Sequence, residues 1–308
     1  ATPGRPIPSP SMRVHRARGA FVASRSAHDA SVNWAIPADP GLIEARYVRR
    51  APDYFAAYLS SQTGCQQACR MCHLTASKQT RLRDVTLTEF LAQADVVLAH
   101  AATQPQAERV HFNFMARGEP LSNPVVLEQS AELLDALWRR ASERGLRARF
   151  LVSTIMPRAL ERPLEQIFDR YQPELYYSLY SMDEAVRRCW LPRALPAGEA
   201  LDRLAAWQRQ SYKLVKLHFA LIEGVNDAPR DIHAICDAVL ARDLQVHVNL
   251  VRYNPPSPAH GREPPERVLE ASAKILRERL RARVRVVPRV GVDVHASCGM
   301  FQLAGQPA

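Results

Sequence analysis

The chain has 308 residues, 47% of them hydrophobic and 23% charged, which suits one large α/β domain or two small ones with a substantial core. No apolar run reaches membrane-spanning length and the opening stretch has no apolar h-region, which argues against a transmembrane helix and a secretory signal; an organelle transit segment shares the opening composition. Lys and Arg number 41 against 31 Asp and Glu, a formal charge of +10, so either the partner is anionic, nucleic acid first, or the charge is solvated on Arg-rich helix faces such as WRRASERGLRAR.

Residues 1–45, with Pro3, Pro6, Pro8 and Pro10, read as a basic Pro/Arg-rich leader, extended or loosely ordered. Residues 46–308 then carry a regular rhythm. The runs DYFAAYLSS, RVHFNFM, RARFLVST, ELYYSLYS, LVKLHFALI, QVHVNLVRY and VRVVPRV are β-branched or aromatic and predict strands. Between them, TLTEFLAQADVVLAHAA opens with the capping-box pair Thr86 and Glu89, and PVVLEQSAELLDALWRRASERG runs from Pro124 to Gly145. RPLEQIFDRY, AGEALDRLAAWQRQSY, APRDIHAICDAVLARD and PPERVLEASAKILRERLRAR complete the predicted helices. Strand–helix alternation repeated about six times implies an α/β fold, a parallel sheet wrapped by helices into a full or partial barrel. Functional groups of such a barrel gather at the C-terminal ends of its strands, where Glu119, Ser153, Thr154 and Asn254 fall.

Six cysteines cluster rather than spread, which favours metal or redox use in a reducing cytoplasm over a disulfide scaffold. Cys65, Cys69 and Cys72 stand at i, i+4 and i+7 in QTGCQQACRMC. Three thiolates converging on one soft metal centre leave a coordination position open. A zinc ion would take a fourth ligand such as the adjacent His73; an iron–sulfur cube would keep one iron free for a substrate. Cys189 and Cys236 lie in helical patterns and read as core residues.

The C-x-x-x-C-x-x-C pattern after the first barrel strand resembles that of the radical S-adenosylmethionine (SAM) superfamily. The ordered blocks QTGCQQACRMC, FMARGEPLSN, STIMPRAL, YSLYS, EGVNDAPRD, VNLVRYNP and VHASCGMF, over roughly residues 50 to 303, resemble the radical SAM RNA methylases that modify C2 or C8 of adenine in rRNA and tRNA. That resemblance implies a partial (β/α)6 radical SAM barrel, a [4Fe-4S] cluster on Cys65, Cys69 and Cys72, and SAM on its open iron. One electron, from a flavodoxin- or ferredoxin-type donor, then yields a 5′-deoxyadenosyl radical. It further implies that Gly118 and Glu119 meet the SAM amino group, that Ser153, Ser178 and Asn254 contact SAM, and that Cys298 carries the methyl group transferred to the adenine carbon of an RNA substrate. The expected protein is a cytoplasmic, monomeric RNA methyltransferase.

Three departures from the pattern stand out. Met71 takes a place before the third cysteine that is usually aromatic. Tyr58 takes the place of the family's second cysteine, seven positions before the first cluster ligand, which forms a disulfide with the methyl-bearing one and releases the product. A phenol forms no disulfide, so Tyr58 either belongs to a different resolution step, shapes the substrate pocket or packs; Cys189 or Cys236 could stand in for the missing thiol. The Pro/Arg-rich opening is not expected to replace the family's N-terminal helical RNA-binding domain. Two other readings therefore stay open: a diverged enzyme acting on a nucleotide-like small molecule or natural product, and a non-catalytic zinc or iron–sulfur protein on an RNA surface.

Overall fold

All seven β-branched or aromatic runs form strands, and they lie side by side in chain order. The computed structural model describes residues 20–302. Three strands come first: β1 (Val22–Arg25), β2 (Val32–Pro37) and β3 (Leu42–Ala51). The seven expected ones follow as β4 (Tyr54–Leu59), β5 (Arg109–Phe114), β6 (Arg147–Thr154), β7 (Glu174–Tyr177), β8 (Val215–Ala220), β9 (Val246–Val251) and β10 (Val284–Val287). Strands β1 to β4 pair antiparallel, whereas β4 to β10 pair parallel throughout. Six helical crossovers join the seven parallel strands, which is the partial (β/α)6 barrel expected.

The crossovers hold α1 (His73–Ala76) and α2 (Leu87–Ala101), α3 (Pro124–Glu128) and α4 (Ser130–Ser142), α5 (Leu164–Ile167), α6 (Glu184–Trp190) and α7 (Ala197–Ser211), α8 (Pro229–Leu240), and α9 (Glu266–Leu280). The capping box at the start of α2 forms, the Glu89 amide donating to Thr86 Oγ1 at 3.3 Å and the Thr86 amide to Glu89 Oε2 at 3.0 Å. The long helix expected from Pro124 to Gly145 breaks at Gln129, whose backbone leaves helical geometry. None of the described helices is long and apolar enough to cross a membrane.

The leader expected to span residues 1–45 ends earlier than that. Residues 1–19 lie outside the described residues, but from Val22 onward the chain belongs to the sheet, and Val32, Trp34, Ile36 and Ile43 are buried in the main core. Trp34 and Tyr47 both pack edge-on against His100 of α2. What hid these strands is that β3 turns Glu44 and Arg46 inward, where they are fully buried, so its pattern does not read as apolar alternation.

The strands' period of two divides the barrel wall cleanly. Phe55, Phe112, Leu175, Leu217 and Val248 point outward under the helices and are at most 1% exposed. Their neighbours Tyr58, His111, Asn113, Lys216, His218 and Asn249 point into the lumen, where they line one cavity. A polar interior beneath the C-terminal mouth is what positions the site.

Candidate active site

Beyond β4 the chain crosses the mouth of the barrel as an irregular loop. It is anchored by the Ser61 and Gln62 amides on the Arg117 carbonyl (2.8 and 3.2 Å), by the Cys65 amide on Gln79, and by the Arg70 amide on Trp190. Met71 is buried in a second apolar cluster with Ile155, Trp190, Ile222 and Tyr253, so it supports the loop from below as an aromatic residue would.

Cys65, Cys69 and Cys72 face one another there. Burial, and then the neighbouring thiols, push Cys65 up to about 12 and Cys69 well above the ordinary thiol value, with Glu119 adding to both. Burial also raises Cys72. Three soft donors that repel one another when ionised fit a cationic centre placed between them. Among the described residues no group of three or more Cys, His, Asp or Glu side chains is arranged to hold a metal ion. The His73 ring is engaged elsewhere, its Nε2 lying 3.1 Å from the Asn254 carbonyl, so it is not placed as a fourth ligand beside the three thiols.

Glu119 follows β5 and reaches across to the end of β6. Its Oε1 accepts from the Leu121 amide at 3.0 Å and its Oε2 from the Ile155 amide at 3.1 Å. Burial pushes it up to about 7, opposed by those backbone bonds and Thr154, and among the described residues no Lys or Arg forms an ion pair with it. A buried carboxylate without a protein cation, close to the cysteine thiols, suits an ammonium group from a ligand. Gly118 makes this turn possible. Its φ is +89°, and a Cβ there would meet Gln62 Cβ at 2.6 Å and Ser61 Oγ at 2.7 Å. Ser153 and Ser178, both half-buried, end β6 and follow β7 on the same rim, the Ser178 amide donating to the Thr154 carbonyl.

Cys298 arrives from the other end of the chain. Its tail lies over a buried polar network that sequence reasoning missed. Glu44 accepts from Arg117 Nε at 2.6 Å, from Asn33, and from the Gln302 amide. Arg46 donates to the carbonyls of Ser297 and Met300, and Arg117 to that of Gln302. Asn254, assigned to SAM by resemblance, donates to the Cys298 carbonyl at 2.9 Å, so it also holds this loop. Cys298 stands at the rim where solvent reaches it. The protein around its thiol still raises it by burial, while Arg46 and Arg50 draw it down and Cys72 adds to the rise.

Tyr58 points into the lumen beside Arg50 and Arg46, the two guanidinium groups that act on Cys298. His218 Nε2 lies 3.9 Å from Cys298 Sγ. The inward position of this histidine in VKLHFA was a readable signal, because it shares the alternation of the strand. Cys236 is in the core as expected. Cys189 is not: it is exposed on α6, 3.3 Å from Arg70 Nη1, because Arg187 and Trp190 take the buried face of that short helix. Cys236, on the outer layer of helices, is separated from Cys298 by the sheet.

A sheet of parallel strands with a three-cysteine loop over its mouth has a counterpart of the same fold among solved structures. The fold is similar to that of a radical SAM methyltransferase from Sphaerobacter thermophilus, with a TM-score of 0.74 at 24% identity over 91% of this chain and 80% of that one. No protein-family model matches the chain. Among curated sequences it is 30% identical to the probable dual-specificity RNA methyltransferase RlmN of Synechococcus sp. (strain RCC307), over 90% of this chain and 78% of the relative. It is 28% identical to the dual-specificity RNA methyltransferase RlmN of Caulobacter vibrioides (strain NA1000 / CB15N), over 93% and 70%. The chain belongs to the RlmN family of dual-specificity RNA methyltransferases.

Proposed function

We propose that this protein methylates an sp2 carbon of adenine in RNA, with Cys65, Cys69 and Cys72 holding a [4Fe-4S] cluster, Glu119 receiving the SAM ammonium group and Cys298 carrying the methyl group. The observation that supports this most directly is the meeting of four thiols and one cation-free carboxylate at the barrel mouth, from loops far apart in sequence. Bound there, the cluster and SAM supply one-electron chemistry that no side chain offers.

The chain's own residues do the rest. Glu119, Ser153 and Ser178 line the rim on which SAM would be oriented. Arg46, Arg117 and Asn254 fix the backbone around Cys298, so that its sulfur faces the lumen wall at His218. The Cys298 thiolate is the nucleophilic form, and Arg46 and Arg50 favour it against the effect of burial. RNA as the substrate rests on the named activity of the relatives and on the net charge of +10.

The test is anaerobic reconstitution with iron and sulfide, then incubation with SAM bearing a deuterated methyl group. Mass spectrometry should find label on the Cys298 peptide, and in adenine of rRNA or tRNA. Label on neither, in protein that has bound its cluster, would overturn the proposal.

A further inference from the structure

We infer that the barrel lumen beneath Cys298 is a binding site for a small phosphorylated ligand of mononucleotide size, its phosphate held by Arg50, Arg283 and Arg285. The inference is independent of the RNA reading, since it needs neither the cluster nor methyl transfer.

The lumen holds a cavity of about 560 Å³, open to solvent beside Arg283 and Arg285 and lined by inward residues of β3 to β10, a size usual for small-molecule sites. Six cationic side chains line it: Arg50, Arg109, Arg149, Lys216, Arg283 and Arg285. Two carboxylates answer three of them. Asp53 pairs with Arg109, and Glu174 with Arg149 at 2.9 Å and Lys216 at 2.5 Å. Among the described residues, Arg50, Arg283 and Arg285 have no carboxylate partner, so the lumen keeps a positive surplus. His111 registers it: burial, and then Arg149, hold its imidazole down to about 4. Like charges gathered in one cavity repel unless an anion joins them.

Other inward residues carry a different signature. Among the described residues, Asn113 Oδ1 and His218 Nδ1 are buried without a hydrogen-bond partner, which polar atoms rarely are. Tyr58 and Tyr176 line the same space, the Tyr176 hydroxyl accepting from Lys216 Nζ at 2.9 Å. Strand register links the two ends, because Arg285 is level with Asn249 and Asn249 with His218. Two inter-strand steps put Arg285 about 10 Å from His218, which itself lies beside Cys298. Inorganic phosphate would satisfy the guanidinium groups and leave Asn113 Oδ1 and His218 Nδ1 unpaired. A ligand with a phosphate at one end and a polar, flat ring at the other matches both.

Adenosine 5′-monophosphate and adenosine are the probes, titrated calorimetrically into the full chain carrying its cluster. The monophosphate should bind more than about tenfold tighter than adenosine, the equivalent of one or two charge-assisted hydrogen bonds. The double variant Arg283→Gln/Arg285→Gln should bring the two probes to parity while still binding adenosine. Arg285 is exposed on the edge strand β10 and Arg283 is exposed just before it, so the variant's melting temperature should not fall. Arg267→Gln/Arg277→Gln, the same charge lost from the exposed face of α9, should keep the preference. Equal binding of both probes by the unmodified chain would overturn the inference without any variant. So would an equal loss in the α9 variant, or binding of a short oligoadenylate where the monophosphate fails to bind.

Discussion

Cys298 Sγ and His218 Nε2 lie 3.9 Å apart, joining the C-terminal tail to the middle of the barrel wall. Burial, then Arg50 and Lys216, hold His218 down to about 4, so its imidazole stays neutral at physiological pH: a weak base that orients the sulfur without taking its proton. The thiol beside it is raised by burial and drawn down by Arg46 and Arg50, the two cations that favour its nucleophilic form. His218→Leu should slow appearance of the S-methylated Cys298 peptide by about tenfold, the loss of one hydrogen bond at the sulfur, with His218→Gln slowing it less and cluster content unchanged. An unaltered rate would reduce His218 to a filler of space.

Glu119 makes the apo protein's stability fall with rising pH. Its folded-state value of about 7 stands above the ordinary 4.5 because of burial, so the folded chain holds this proton more tightly than the unfolded one. The contribution is fully present below the unfolded value and is lost as pH climbs through about 7, amounting to about 3 kcal/mol. Denaturant titrations without SAM, from pH 4.5 to 8, should show this decline, and Glu119→Gln should remove it. The same variant should bind SAM more than about tenfold more weakly. A pH profile identical to that of the unmodified chain would mean that the carboxylate finds a cation in solution.

The parallel strands were legible because outward Phe, Leu and Val alternate with other residues at period two, and the cysteine loop because its ligands are neighbours in sequence. The rest of the site was hidden for two physical reasons. Glu44, Arg46 and Arg117 are charged residues that form a fully buried network, and in sequence a charged residue reads as surface. Tyr58 and Cys298 were named by resemblance, but Cys298 reaches His218 only because the tail folds back over β2 and β3, a contact between chain ends that no local pattern encodes. The lumen's cations were visible one by one, but only the register of the strands brings them into a single cavity.

Arg117 and Glu44 are both 0% exposed as side chains and pair at 2.6 Å. Burial pushes Glu44 up, yet Arg117 and Arg46 hold it below its ordinary value. This part of the stability is therefore present above the unfolded carboxylate value and is lost as pH falls through the folded one. Arg117→Met leaves Glu44 with a single, longer ion pair to Arg46 at 3.7 Å. The expected cost is about 3–5 kcal/mol, measured by chemical denaturation. Because Arg117 also holds the Gln302 carbonyl, amide exchange over residues 297–302 should accelerate more than exchange in β5. Equal acceleration in both would show a global effect with no special hold on the Cys298 tail.

Tyr58 occupies the place where the family resemblance expects a second thiol, and its neighbours in space are those of Cys298: Arg50 and Arg46 act on both. If the two positions face each other across these guanidinium groups, a cysteine at 58 restores a disulfide partner within bonding reach. Tyr58→Cys, purified in air and digested without reductant, should yield a peptide crosslinking position 58 to Cys298. During turnover the same variant should release product from Cys298 faster, seen as less protein carrying a covalent nucleotide adduct by intact mass. A crosslink with unchanged release would make the tyrosine a wall of the lumen, with resolution left to another base. No crosslink at all would separate the two residues and remove position 58 from the chemistry.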